Sequence, residues 1–270
     1  MYRMLLVLSC FLAPGLYSAA QTDTSFRLLR TVTGDIVSFT VDNLDNLYIL
    51  NSRNQLKKLN ANGDSAAVFN DVKKFGKATL IDVSNPLKVL LYYRDFATIV
   101  VLDRFLNIRN SIDLRKQNIL QAKAIGQSYD NKIWIYDELE HKLKKIDEDG
   151  KLLQETPDFR LLMGRAPSPQ KIFDENQYVY LYDSARGVNV FDYYGTHRNN
   201  IMIDHWQNFR VAGNYIFGSR SDTLFRYDIR DFMVDDWKMP ASIAGSSQVL
   251  FTYSRLYALK EGRIAIYSTR

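Results

Sequence analysis

A strand-like run, a turn, a second strand-like run and a corner rich in Asp, Asn or Gly recur along this chain about every forty residues. The order is plainest in KIWIYD, HKLKKID and EDGK (132–151), and it returns in NLYILN, QLKKLN and ANGD (46–64) and in YVYLYD, GVNVFD and YYGT (178–196). Weaker copies are KVLLYY with TIVVLD (88–103), YIFGSR with TLFRYD (215–228) and RLYALK with RIAIYS (255–268). The residue closing the second run falls at Leu59, Leu102, Ile146, Phe191, Tyr227 and Tyr267, at spacings of 43, 44, 45, 36 and 40. An alternating or apolar run precedes every copy (IVSFTVD, KATLIDV, QAKAIGQ, PQKIFDE, QNFRVAG, SSQVLFTY), and a poorer fourth run such as SAAVFND or NNIMID follows most. Four short strands per period of this length make the blade of a β-propeller.

Six such blades fill the 270 residues. The last copy stops after its third strand, while SFRLLRTV (25–32) stands unassigned before the first. An open sheet edge is a template for aggregation. The expectation is therefore an all-β, six-bladed propeller of four-stranded antiparallel blades, with the N-terminal strand closing the last.

The blade consensus resembles NHL-type repeat proteins, whose blades carry an aspartate–glycine turn, a [LI]-Y-V strand and a second aspartate–glycine corner. VDNLDNLYILN, YDNKIWIYD and FDENQYVYLYD, with LKKLNANG, LKKIDEDG and VNVFDYYG, carry that likeness over residues 25–270. The likeness concerns architecture, because propellers host enzymes, receptors and scaffolds alike. Six-bladed lactonases and lyases give the alternative expectation, an enzyme with a metal site at the central channel.

Residues 1–20, MYRMLLVLSCFLAPGLYSAA, join one positive charge, a short apolar run, a Pro-Gly break and small residues before Gln21. That is the build of a secretory signal peptide. The apolar stretch falls short of the roughly 20 residues a membrane span needs. The expected division is a signal peptide over 1–20 and the propeller over 21–270. The expected destination is the periplasm or the outside of a bacterial cell, with lipid anchoring through Cys10 as a lesser alternative. Cys10 is the sole cysteine, so the exported chain would hold no disulfide, thiolate metal site or cysteine nucleophile.

No catalytic residue, metal ligand or cofactor is expected. Asp147, Glu148, Asp149 and Gly150 fit a hairpin corner, because the equivalent corners read NANG, DYYG and DIRD and keep no ligand set. His141, His197 and His205 form no HExxH or i, i+4 pair. A net charge of +5 is too modest to imply nucleic acid.

The loops joining second to third strands share one face of a propeller with the connections between blades. Five of those six loops carry a cation (Arg53, Arg94, Arg186, Arg220 and Lys260), and a connection adds Arg165. Turns of the other face hold acids, among them Asp42, Asp45, Asp103, Asp130, Asp147, Asp174 and Asp192. These six cations form the expected binding site. The expected partner is a protein or an anionic envelope component, met by a monomeric propeller within a larger complex.

Overall fold

The computed structural model describes residues 26–269; the expected signal peptide lies outside them. Strand β1 (Phe26–Thr33) comes first. Blade one follows with β2 (Ser38–Val41), β3 (Leu47–Leu50), β4 (Leu56–Leu59) and β5 (Ser65–Phe69), and blade two with β6 (Leu80–Asn85), β7 (Lys88–Tyr93), β8 (Thr98–Asp103) and β9 (Ile108–Asp113). Blade three holds β10 (Ala122–Gln127), β11 (Ile133–Asp137), β12 (Lys142–Ile146) and β13 (Leu152–Glu155). Blade four holds β14 (Lys171–Glu175), β15 (Tyr178–Asp183), β16 (Gly187–Asp192) and β17 (His197–Ile201). Blade five holds β18 (Gln207–Ala212), β19 (Tyr215–Arg220), β20 (Thr223–Asp228) and β21 (Val234–Lys238). Blade six takes β22 (Gln248–Phe251), β23 (Arg255–Lys260) and β24 (Arg263–Thr269) from the end of the chain, and β1 completes it in the order β1-β24-β23-β22. The pairing runs from Phe26 opposite Thr269 to Thr33 opposite Arg263. Every sheet is four-stranded and antiparallel, and the ring closes with the N-terminal strand.

The apolar runs look continuous because each middle strand is buried on both faces and feeds two neighbours. In β7, Leu90 and Tyr92 pack toward blade three, while Val89, Leu91 and Tyr93 pack toward blade one. In β11, Ile133 and Ile135 face blade two, while Trp134 and Tyr136 face blade four. The core is accordingly six apolar layers, one between each pair of consecutive blades. The layer joining blades six and one is also pinned by Gln248. Its amide accepts from the Phe39 N–H at 3.1 Å and donates to the Phe39 carbonyl at 2.8 Å.

The corners obey one local rule. Asp147 Oδ1 accepts the N–H groups of Asp149 and Lys151, two and four residues on, at 3.0 and 2.9 Å. Asn60, Asp103 and Asp192 accept in the same i+2, i+4 pattern. The DEDG run is thus a corner that caps its own backbone, as Asx turns do.

Two differences from the sequence reading stand out. Connections between blades carry short helices, α1 (Val72–Phe75) and α2 (Phe159–Met163), too brief to leave a helical period in the sequence. The outer strand of blade four starts at His197 rather than at Asn199 and ends at Ile201, where the chain turns inward (Ile203 N–H to Ile201 carbonyl, 2.9 Å) to bury Ile203. At the adjoining hairpin, Gly187 adopts φ +89°, and a methyl there would lie 2.3 Å from the Ile201 carbonyl oxygen. Gly187→Ala should therefore cost about 2 kcal/mol or more. Thermal unfolding that leaves Tm unchanged would show that the turn relaxes freely.

Candidate binding face

Strand direction assigns every loop to one of two faces. The β3–β4, β7–β8, β11–β12, β15–β16, β19–β20 and β23–β24 loops share a face with the connections between blades. Arg53, Arg94 and Arg186 lie in or at such loops, Arg220 and Lys260 end the strands leading into them, and Arg165 lies in the connection after α2. The six cations expected from the sequence therefore occupy one face.

They are not equivalent there. Arg186 donates to the Ala166 carbonyl at 2.7 Å and sits 3.9 Å from Asp183. Lys260 donates to the Ala244 carbonyl at 2.8 Å. Arg220 lies 4.0 Å from Asp204, with its guanidinium over the Phe225 ring. Each of these three ties its loop to the connection that precedes its own blade. Arg53, Arg94 and Arg165 are exposed, and none has a carboxylate partner among the described residues.

The sorting of charge by face is incomplete. Asp35, Asp71, Asp95, Asp113, Asp158 and Asp204 share the arginine-bearing face, several with a partner close by. Asp113 holds Arg115 at 2.8 Å. The Arg160 guanidinium beside Asp158 holds that carboxyl down to about 2. On the opposite face most acids are consumed locally. Asp42 is buried and accepts from Leu44, Asn46 and Tyr48. Asp45 pairs with Arg255, Asp130 with Lys145, Glu148 with Lys88 and Arg109, and Asp192 with Arg198. Neither sign of charge nor free guanidiniums divides the faces cleanly: Arg53, Arg94 and Arg165 are free on one, while on the other Arg104 is exposed over the Phe105 ring and likewise has no carboxylate partner among the described residues.

Apolar groups accompany the free arginines. Val37, Phe96, Leu120, Leu139, Leu161 and Leu162 protrude from loops and connections of the same face, Leu161 with 84% of its surface exposed. Sequence reasoning on charge alone missed them, although leucines in otherwise polar connections were the available signal. The blade-three loop gives the face a rigid sector: Lys144, with 3% of its side chain exposed, bonds Asp137 and Glu140, each at 2.8 Å.

A cavity of about 760 Å³ runs along the axis and draws its walls from all six inner strands. His141, His197 and His205 are not among the residues that line it. Among the described residues no three His, Cys, Asp or Glu side chains converge as a metal ion would require, and no helix is long and apolar enough to cross a membrane.

No family model matches the chain, and no curated protein matches it. Solved structures do. A virginiamycin B lyase from Staphylococcus aureus is 12% identical, with 91% of this chain and 100% of that one covered at a TM-score of 0.61. The Pan2 WD40 domain of Neurospora crassa is 11% identical, with 90% and 95% covered at 0.62. BBS1N, solved in complex with ARL6DN, is 12% identical, with 91% and 97% covered at 0.55. At such identities the likeness is one of fold, and the chain is a six-bladed β-propeller.

Proposed function

We propose that this propeller is an exported binding module that docks an acidic protein partner on its arginine-bearing face. The observation that carries the reading is the set of exposed guanidiniums at Arg53, Arg94 and Arg165, set among protruding Phe96, Leu161 and Leu162. Arginine beside apolar anchors is the composition of protein interfaces. Its planar fork also donates two parallel hydrogen bonds to a carboxylate. Each exposed pair alone contributes only about 0–1 kcal/mol, so affinity needs several arginines and the apolar anchors together.

The chain, used as bait on its native envelope, should capture an acidic protein in a salt-sensitive manner. Arg94→Glu with Arg165→Glu should weaken that capture about tenfold or more. Asp149→Lys with Asp236→Lys, exposed positions away from this face, should leave it unchanged. Equal weakening by the two pairs would reduce the face to an ordinary solvated surface.

A further inference from the structure

From the axial cavity we infer a second, independent binding site, for a small organic carboxylate held by Lys171. Lys171 opens β14, at the end of the channel nearest the arginine-bearing face, and lines the cavity. Among the described residues its ammonium has no hydrogen-bond or ion-pair partner. It is exposed to the channel but walled in by the surrounding strands, whose desolvation pushes its pKa below the usual lysine range while the Asp82 carboxylate pulls the other way.

The carboxylates of the channel are already engaged. Asp82 accepts the Ser84 N–H on one oxygen and the Gln127 N–H on the other, both at 2.7 Å. Asp174 accepts from Ser128 Oγ, the Trp134 indole and the Tyr193 hydroxyl. Burial raises the Glu175 pKa, favouring its uncharged form. At the far end Arg210 reaches from blade five to the Val41 carbonyl of blade one and forms a floor. A third cation, Lys77, stands exposed on the cavity wall.

An ammonium without a partner in a channel walled by protein gains from an incoming anion, because the walls displace part of the water that would screen the pair. Ile81, Phe173 and Leu250 supply apolar wall to the same cavity, so an apolar body with a carboxylate head fits better than inorganic phosphate. The volume is that of an ordinary small-ligand site.

Benzoate is the probe, titrated against the intact protein by ligand-observed NMR, with benzamide as the neutral isostere. Benzoate should bind one per chain, and benzamide about tenfold more weakly or not at all. Lys171→Met should lose benzoate binding by about tenfold or more, while Lys171→Arg, which keeps the charge, should retain it. The Arg94→Glu, Arg165→Glu pair should leave benzoate affinity within about twofold, which separates this site from the docking face. No saturable benzoate binding, equal affinity for benzamide, or undiminished affinity in Lys171→Met at an unchanged Tm would each overturn the assignment.

Discussion

A chain that begins at Gly34 should melt about 10 °C or more below the intact protein and should associate through its last blade. Removing β1 strips the whole ladder from Phe26 to Thr33 off β24. It also withdraws Phe26 from its edge-to-face contact with Phe251, at 6.4 Å, and Val32 from the layer between blades six and one. β24 then becomes the unpaired outer edge of a blade whose inner residues Ile264 and Ile266 are fully buried in the intact ring. A ring that has lost its clasp no longer shares strain around six interfaces, so unfolding should start at blade six. Differential scanning calorimetry and size-exclusion chromatography read the two effects. A monomeric truncated chain melting within a few degrees of the intact one would show that the Gln248–Phe39 link and the apolar layer close the ring unaided.

The second large effect concerns the buried ion pair of blade three. Asp137→Ala should destabilise by about 3–5 kcal/mol, because it leaves the Lys144 ammonium buried with only the more exposed Glu140 beside it. For a domain of this size that is a Tm fall of about 6–20 °C. Lys144→Met should be milder, since Asp137 would still accept the Leu139 and Glu140 N–H groups at 3.0 and 3.3 Å. Burial works against the Lys144 charge, but bonds to Asp137 and Glu140 outweigh it and raise the pKa above 10.5. The linked stability is therefore complete below pH 10.5 and is lost as pH climbs through the raised folded value. Urea unfolding of both variants at neutral and strongly alkaline pH checks the order and the sign. An Asp137→Ala protein as stable as the parent would mean that the pair is dispensable.

The parts legible in the sequence were those governed by neighbours along the chain. The near-continuous apolar runs in KVLLYY and KIWIYD mark strands buried on both faces, and the two-residue repeat of a strand then sends successive side chains to opposite neighbouring blades. The corners were legible for the same reason, since Asp147 bonds residues two and four places on. The N-terminal strand could be placed by counting, because one blade lacked its fourth strand. The site was legible only in part. Which face Arg94 or Lys260 occupies follows from strand order, but whether the cation is free depends on groups such as the Ala244 carbonyl, sixteen residues away. Arg210 was passed over in QNFRVAG, where a charge inside an inner strand was the clue, because its acceptor Val41 lies 169 residues earlier.

The pairing of Phe26 with Thr269 sets how this protein can be attached to anything else. Both residues leave the ring side by side on the face opposite Arg53, Arg94 and Arg165. A tether, tag or neighbouring domain joined ahead of Phe26 or after Thr269 would therefore emerge behind the docking face and leave it unobstructed. Held by either end on a surface, the disc would lie with its arginines outward, and the mouth of the channel beside Lys171 would open toward the same side. Pulling the two ends apart would peel β1 from β24 one pair at a time, so the ring should yield to force first at the point where it is fastened.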